Sequence, residues 1–106
     1  MVASSISNEF IAEAFEEVAS LLEAQHSNAF RIQAWRNAAD TIRTYSRPIQ
    51  ELATEQGHEG LERLRGIGRS LANAIVQLVT TGHLPLLEQL RGDLSSEKLF
   101  AMIPGI

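Results

Sequence analysis

The chain has 106 residues, 44% of them apolar, and no cysteine. That allows one domain with a modest core and excludes disulfides, thiolate nucleophiles and zinc–thiolate sites. No apolar run approaches the length of a membrane span and the acidic first segment is unlike a signal peptide, so a soluble, cytoplasmic protein with no membrane contact is expected. The net charge of −4 argues against a polyanionic partner only until the charges are placed along the chain.

Residues 1–30 hold five glutamates and no base, whereas residues 31–48 hold Arg31, Arg36, Arg43 and Arg47 against Asp40 alone. Residues 49–62 are acidic again, and Arg63, Arg65 and Arg69 follow without an acid. For docking a polyanion the local field counts for more than the total, so this segregation keeps nucleic acid in play.

Taken in order, Asn8 is a candidate cap for a first helix, with Glu9 in its first turn. Ile11, Ala14, Phe15, Val18, Leu21 and Leu22 recur at helical spacing to about Gln25, and Glu13, Glu16, Glu17 and Glu23 fall on the wet side. Asn28 caps a second helix from about Ala29 to Tyr45. There Phe30, Ile32, Trp35 and Ile42 supply bulk, and Ala34, Ala38 and Ala39 allow a close neighbour. Arg36, Arg43 and Arg47 lie within about 60° of one another at ~100° per residue. That stripe is either a phosphate contact or a solvated face paired to the glutamates of the first helix. Trp35 is either core or a platform for stacking bases.

Pro48 opens a short amphipathic piece through Ile49, Leu52 and Ala53, ended by Gly57. The next stretch, LERLRGIGRSLANAI from Leu61 to Ile75, is the most informative. Leu61 and Leu64 belong to a short helix, Gly66 and Gly68 bracket Ile67, and Leu71, Ala72, Ile75, Val76 and Val79 mark a second helix to Thr81, stopped by Gly82. A helix start beside glycine-exposed amides is a natural seat for a phosphate, with Arg65 and Arg69 flanking it. The other reading is an ordinary helix–helix corner with glycine as a cap. Leu84–Pro85 then begins a short helix closed by Gly92, and Ser95 or Ser96 caps a last one with Leu99, Phe100 and Met102. The ending Ile103–Pro104–Gly105–Ile106 echoes Leu64–Arg65–Gly66–Ile67, as if a second hairpin began at the C-terminus.

These features resemble the N-terminal helix-hairpin-helix domain of the X-family DNA polymerases, bacterial and archaeal type. The likeness rests on Asn8–Glu9, Leu22–Glu23, the block from Asn28 through Phe30, Arg31, Ala34, Trp35 and Arg36 to Ala38–Ala39, the hairpin from Leu64 to Ile75, and Thr81–Gly82 with Leu84–Pro85, Leu87, Glu88 and Leu90. It implies an all-α, compact multi-helix domain over residues 8–92, with residues 93–106 starting a second, truncated hairpin segment. It also implies sequence-independent binding of DNA at gaps, 5′ ends or single strands, as the DNA-binding module of a repair or polymerase X-like protein.

The implied phosphate contacts are Arg65, Gly66, Ile67, Gly68, Arg69 and Ser70, and Arg31, Trp35 and Arg36 fall where relatives face the 5′-phosphate side. The resemblance further implies a monovalent cation, Na⁺ or K⁺, on the carbonyls of Glu62, Leu64 and Ile67. No other cofactor is implied. Some relatives are deoxyribose-phosphate lyases that work through a lysine Schiff base. The matching position is Ala74, a nearby position often basic is Ser70, and the usual proline before the first hairpin glycine is Arg65, so catalysis by this segment is not expected.

Other chemistry finds no footing. His26, His58 and His83 lack metal-ligand spacing, the glutamates line helix faces without converging, and a polymerase aspartate pair is missing. The alternative of another class is a protein-interaction module that uses the acidic first helix.

Overall fold

The computed structural model describes residues 6–101, and side chains from Ile6 to Asp93. Five helices follow one another: α1 (Asn8–Ala24), α2 (Ala29–Thr44), α3 (Ile49–Glu62), α4 (Arg69–Thr81) and α5 (Pro85–Ala101). There is no strand among the described residues, and the fold is all-α as expected.

The core forms where the apolar stripes meet. Ile11, Phe15, Val18 and Leu22 of α1 are buried against Trp35, Ala38, Ala39 and Ile42 of α2. Ala38 and Ala39, both fully buried, leave room for the two helix backbones to approach. The Trp35 ring meets Phe15 edge to face, with centroids 4.7 Å apart and planes at 76°. Such a pair adds roughly 0.5–1.5 kcal/mol to what the buried area contributes. Trp35 is therefore a core residue.

Caps explain most boundaries, with one correction. Asn28 caps α2 as expected, its Oδ1 accepting from the amides of Phe30 and Arg31. The cap of α1 is Ser7, whose hydroxyl accepts from Phe10 N, and not Asn8. Asn8 is used at longer range: its Nδ2 donates to Arg47 O at 2.9 Å, and its Oδ1 accepts from Ile49 N at 2.7 Å. It thus holds the link between α2 and α3 and serves an otherwise unpaired amide at the start of α3.

Helix α3 breaks at Gly57, where φ is +62° and ψ is −152°. The break separates the piece around Leu52 from the short helix that ends in Leu61 and enters the hairpin. Leu61, Ile67, Leu71, Ala72, Ile75 and Leu78 are buried, which roots both arms of the hairpin in the common core. Helix α4 stops at Gly82, whose amide donates to Leu78 O at 2.8 Å.

Two further expectations are revised. Phe30, read as bulk, is 86% exposed. The stop expected at Gly92 is absent, because α5 runs through it to Ala101. The cap expected at Ser95 or Ser96 and the second hairpin expected to start within 93–106 involve side chains and terminal residues outside those described.

Candidate nucleic-acid interface

The hairpin turn is built from one tight reverse turn and one bare helix start. Ile67 N donates to Leu64 O at 3.1 Å, closing a four-residue turn with Arg65 and Gly66 at its centre. Gly66 has φ +79° and Arg65 is not among the positive-φ residues, which is the type II arrangement. A side chain on the third residue of that turn is strained, so glycine is required there by conformation. Thr41 of α2 donates its hydroxyl to Arg65 O at 2.8 Å, tying the turn to the helix behind it. Burial of Ile67, 4% exposed, anchors the turn from inside.

Gly68 is glycine for a different reason. Its φ of −95° suits any residue, and a Cβ built there meets nothing within 4 Å. Neither strain nor internal crowding calls for glycine, which leaves clearance for something approaching from outside. Gly68 caps α4 without any side-chain hydrogen bond. By contrast Ser7, Asn28 and Asn8 supply side-chain acceptors at the starts of α1, α2 and α3. The first amides of α4, at Gly68, Arg69 and Ser70, have no intrahelical acceptor and sit on exposed residues. They carry the positive end of the helix dipole.

A groove of about 630 Å³ runs from this helix start to α2, lined by Arg31, Trp35, Gly68, Arg69, Ser70 and Ala74 among others. Ala34 also lines it, and Phe30 stands one helical turn earlier on the same stripe of α2. Phe30, 86% exposed, does not line the groove itself but precedes Arg31, which does. Spacing alone could not reveal this, since an aromatic at the start of a helix reads as apolar filling.

The arginines divide sharply. Arg36 pairs with Glu23 at 2.8 Å, Arg43 with Glu9 and Glu16, Arg47 with Glu51 and Glu55, and Arg91 with Glu17 at 2.6 Å. Hydrogen bonds from Arg43 hold the carboxyls of Glu9 and Glu16 below the usual carboxylate range, and Arg91 does the same to Glu17. The same bonds raise Arg43 and Arg91 further, and bonds to Glu55 and Glu51 raise Arg47. Arg31, Arg63, Arg65 and Arg69 form no ion pair among the described residues. All four are exposed and lie on the hairpin or at the groove.

Against this geometry the candidate residues sort as follows. Arg65, Gly66, Gly68, Arg69 and Ser70 share the exposed corner. Ile67, expected beside them as an amide donor, spends its N–H on Leu64 O and contributes by burial. Of Arg31, Trp35 and Arg36, only Arg31 presents an unpaired charge: Trp35 is in the core, 7% exposed, and Arg36 is held by Glu23. Arg36 and Arg43 are neutralised by glutamates of α1, as the second reading of that stripe had it, whereas Arg47 lies beyond the end of α2 and is paired instead with Glu51 and Glu55 of α3. Among the carbonyls considered for a cation, Leu64 O already accepts from Ile67 N. Groups of three or more side-chain metal ligands are absent among the described residues, and no described helix is long and apolar enough to cross a membrane.

The acidic face of α1 is largely consumed within the chain. Glu9, Glu16, Glu17 and Glu23 are all paired to arginines, which weakens the motive for a protein partner there. Ala74, 4% exposed, lends only a methyl group to the groove wall.

No curated protein matches the chain. A family model described as a helix-hairpin-helix domain matches residues 6–84, a span that contains the turn, α4 and every groove-lining residue except Leu86. The chain belongs to the helix-hairpin-helix domain family.

Proposed function

We propose that this chain is the DNA-binding module of a polymerase X-like or repair protein, gripping the sugar–phosphate backbone without reading sequence. Helix-hairpin-helix domains generally bind DNA non-specifically, and the observation that carries the reading here is the uncapped start of α4, flanked by arginines with no internal partner. A phosphate seated there is met by the amides of Gly68, Arg69 and Ser70, with the guanidinium of Arg69 or Arg65 alongside. Gly66 offers a further amide. Arg31 faces a second phosphate across the groove. Phe30 offers an apolar face on which an unpaired base can stack, so gapped or single-stranded DNA is favoured over intact duplex. Two to four such contacts give a dissociation constant on the order of 10⁻⁴–10⁻⁶ M that rises steeply with salt.

The groove does not carry lyase chemistry. Schiff-base formation needs a deprotonated amine; Ala74 has none, and a guanidinium stays protonated and is no substitute. A monovalent cation on the free lone pairs of the Glu62, Leu64 and Ile67 carbonyls would support the turn, and belongs to this same proposal.

The test is Gly68→Val, titrated with labelled gapped, single-stranded and duplex DNA at two salt concentrations. The backbone conformation and the open space at Gly68 predict a folded variant, with melting lowered only by the loss of a favoured N-cap residue, whose affinity falls at least about tenfold on every DNA sequence. A folded variant that binds as well as wild type would overturn the clamp.

A further inference from the structure

We infer that Thr41 is a positioning residue for the hairpin, holding the Arg65–Gly66 peptide in the orientation that aims the Gly66 amide at the ligand. The inference rests on the DNA-binding reading above and adds a residue that the family pattern and the chain's own motifs do not single out.

Type I and type II turns differ chiefly by a flip of the central peptide, here the one joining Arg65 to Gly66. Among the described residues every peptide is trans, so the carbonyl of Arg65 and the N–H of Gly66 point in opposite directions. Thr41 Oγ1 donates to that carbonyl at 2.8 Å. Fixing the carbonyl against α2 therefore sends the Gly66 N–H away from α2, on an exposed residue. The positive φ of Gly66, +79°, selects the same orientation from within the turn. A hydroxyl from 24 residues away and a glycine act jointly on one peptide plane, and the orientation needs both.

The surroundings do not suggest another task for this hydroxyl. It belongs to a polar niche of about 380 Å³ lined by Asn37, Asp40, Thr41, Thr44, Arg65 and Gly66. Thr44 turns its own hydroxyl back onto Asp40 O and Thr41 O, and Asn37 Oδ1 accepts from Gln33. Among the described residues Thr41 thus makes the one side-chain hydrogen bond from α2 to the turn.

The experiment compares wild type, Thr41→Val, Thr41→Ser, Gly66→Ala and the Thr41→Val/Gly66→Ala double variant. Single-stranded and gapped oligonucleotide affinity, melting temperature and the Gly66 amide resonance are read for each. Valine keeps the shape and removes the donor, so melting stays near wild type while affinity falls about five- to tenfold, the scale of one hydrogen bond. Serine restores binding. Because both single changes release the same peptide, the double variant loses little more than the worse single one. Unchanged affinity in Thr41→Val, or a loss that follows a fall in melting temperature, would overturn the role. Absence of DNA binding by wild type would remove the functional reading instead. An unmoved Gly66 resonance in Thr41→Val would remove the positioning claim whether or not DNA binds.

Discussion

The interface between α1 and α2 and the corner between α3 and α4 use the same residue types to opposite ends. In the first, arginines meet glutamates, caps are satisfied by side chains, and small residues admit close helix contact. In the second, arginines stand without carboxylates, the helix start has no side-chain cap, and glycines leave open space. A region built for stability closes its hydrogen-bonding groups on one another; a region built for a ligand leaves them exposed and organised. That difference, more than the net charge of −4, is what points to a polyanion.

The largest expected effect tests the closed region. Trp35→Ala removes a ring packed on Phe15 and should lower unfolding free energy by about 3–5 kcal/mol in urea titration. Trp35→Phe should fold and retain DNA binding; loss of binding in that folded variant would return Trp35 to the interface.

Next comes the rim of the groove. Phe30→Ala should leave melting almost unchanged, since the ring is exposed, yet weaken single-stranded DNA by about 1–3 kcal/mol if it stacks on one base. Fluorescence anisotropy should show duplex affinity barely altered. Equal losses on both forms would mean that Phe30 acts through the fold.

The smallest effect concerns the paired charges. Glu9, Glu16 and Glu17 have carboxyls depressed below the ordinary glutamate value of 4.5 by hydrogen bonds from Arg43 and Arg91. Their folded-state value lies below the unfolded one, so their contribution is complete above about pH 4.5 and fades as acid takes the pH down through the depressed values. Melting temperature should decline over that acid range, and less so in Arg43→Gln. Glu9 is exposed and Glu16 and Glu17 are only partly buried, so solvent screens the pairs and the change should be slight.

Much of this arrangement is legible from local pattern. The apolar repeats of α1, α2 and α4, the Asn28 cap, the break at Gly57 and the stop at Gly82 all follow from residues within a turn or two of the feature. The Gly66 turn is legible for the same reason. What escapes is set by tertiary approach. Asn8 looks like a cap, but Ser7 takes that duty and frees Asn8 to bind the α2–α3 link, 39 and 41 residues away. Phe30 has the spacing of a core residue, yet nothing packs over it. The spacing of Arg36, Arg43 and Arg47 shows a stripe, but only the packing of α1 on α2 decides that carboxylates reach Arg36 and Arg43, while Arg47 turns to Glu51 and Glu55 of α3. Gly92 reads as a stop because glycine often is one; in α5 the helix passes through.

If DNA is gripped as proposed, the unpaired arginines meet it, and not basic residues in general. Two variants carry the same charge change: Arg31, Arg63, Arg65 and Arg69 to Gln in one, and Arg36, Arg43, Arg47 and Arg91 to Gln in the other. The logarithm of affinity for a gapped oligonucleotide is measured against the logarithm of salt concentration, with circular dichroism confirming the fold. The first variant should lose binding and most of the salt slope, whereas the second should keep the wild-type slope. Equal loss in the two variants would show instead that overall charge governs binding.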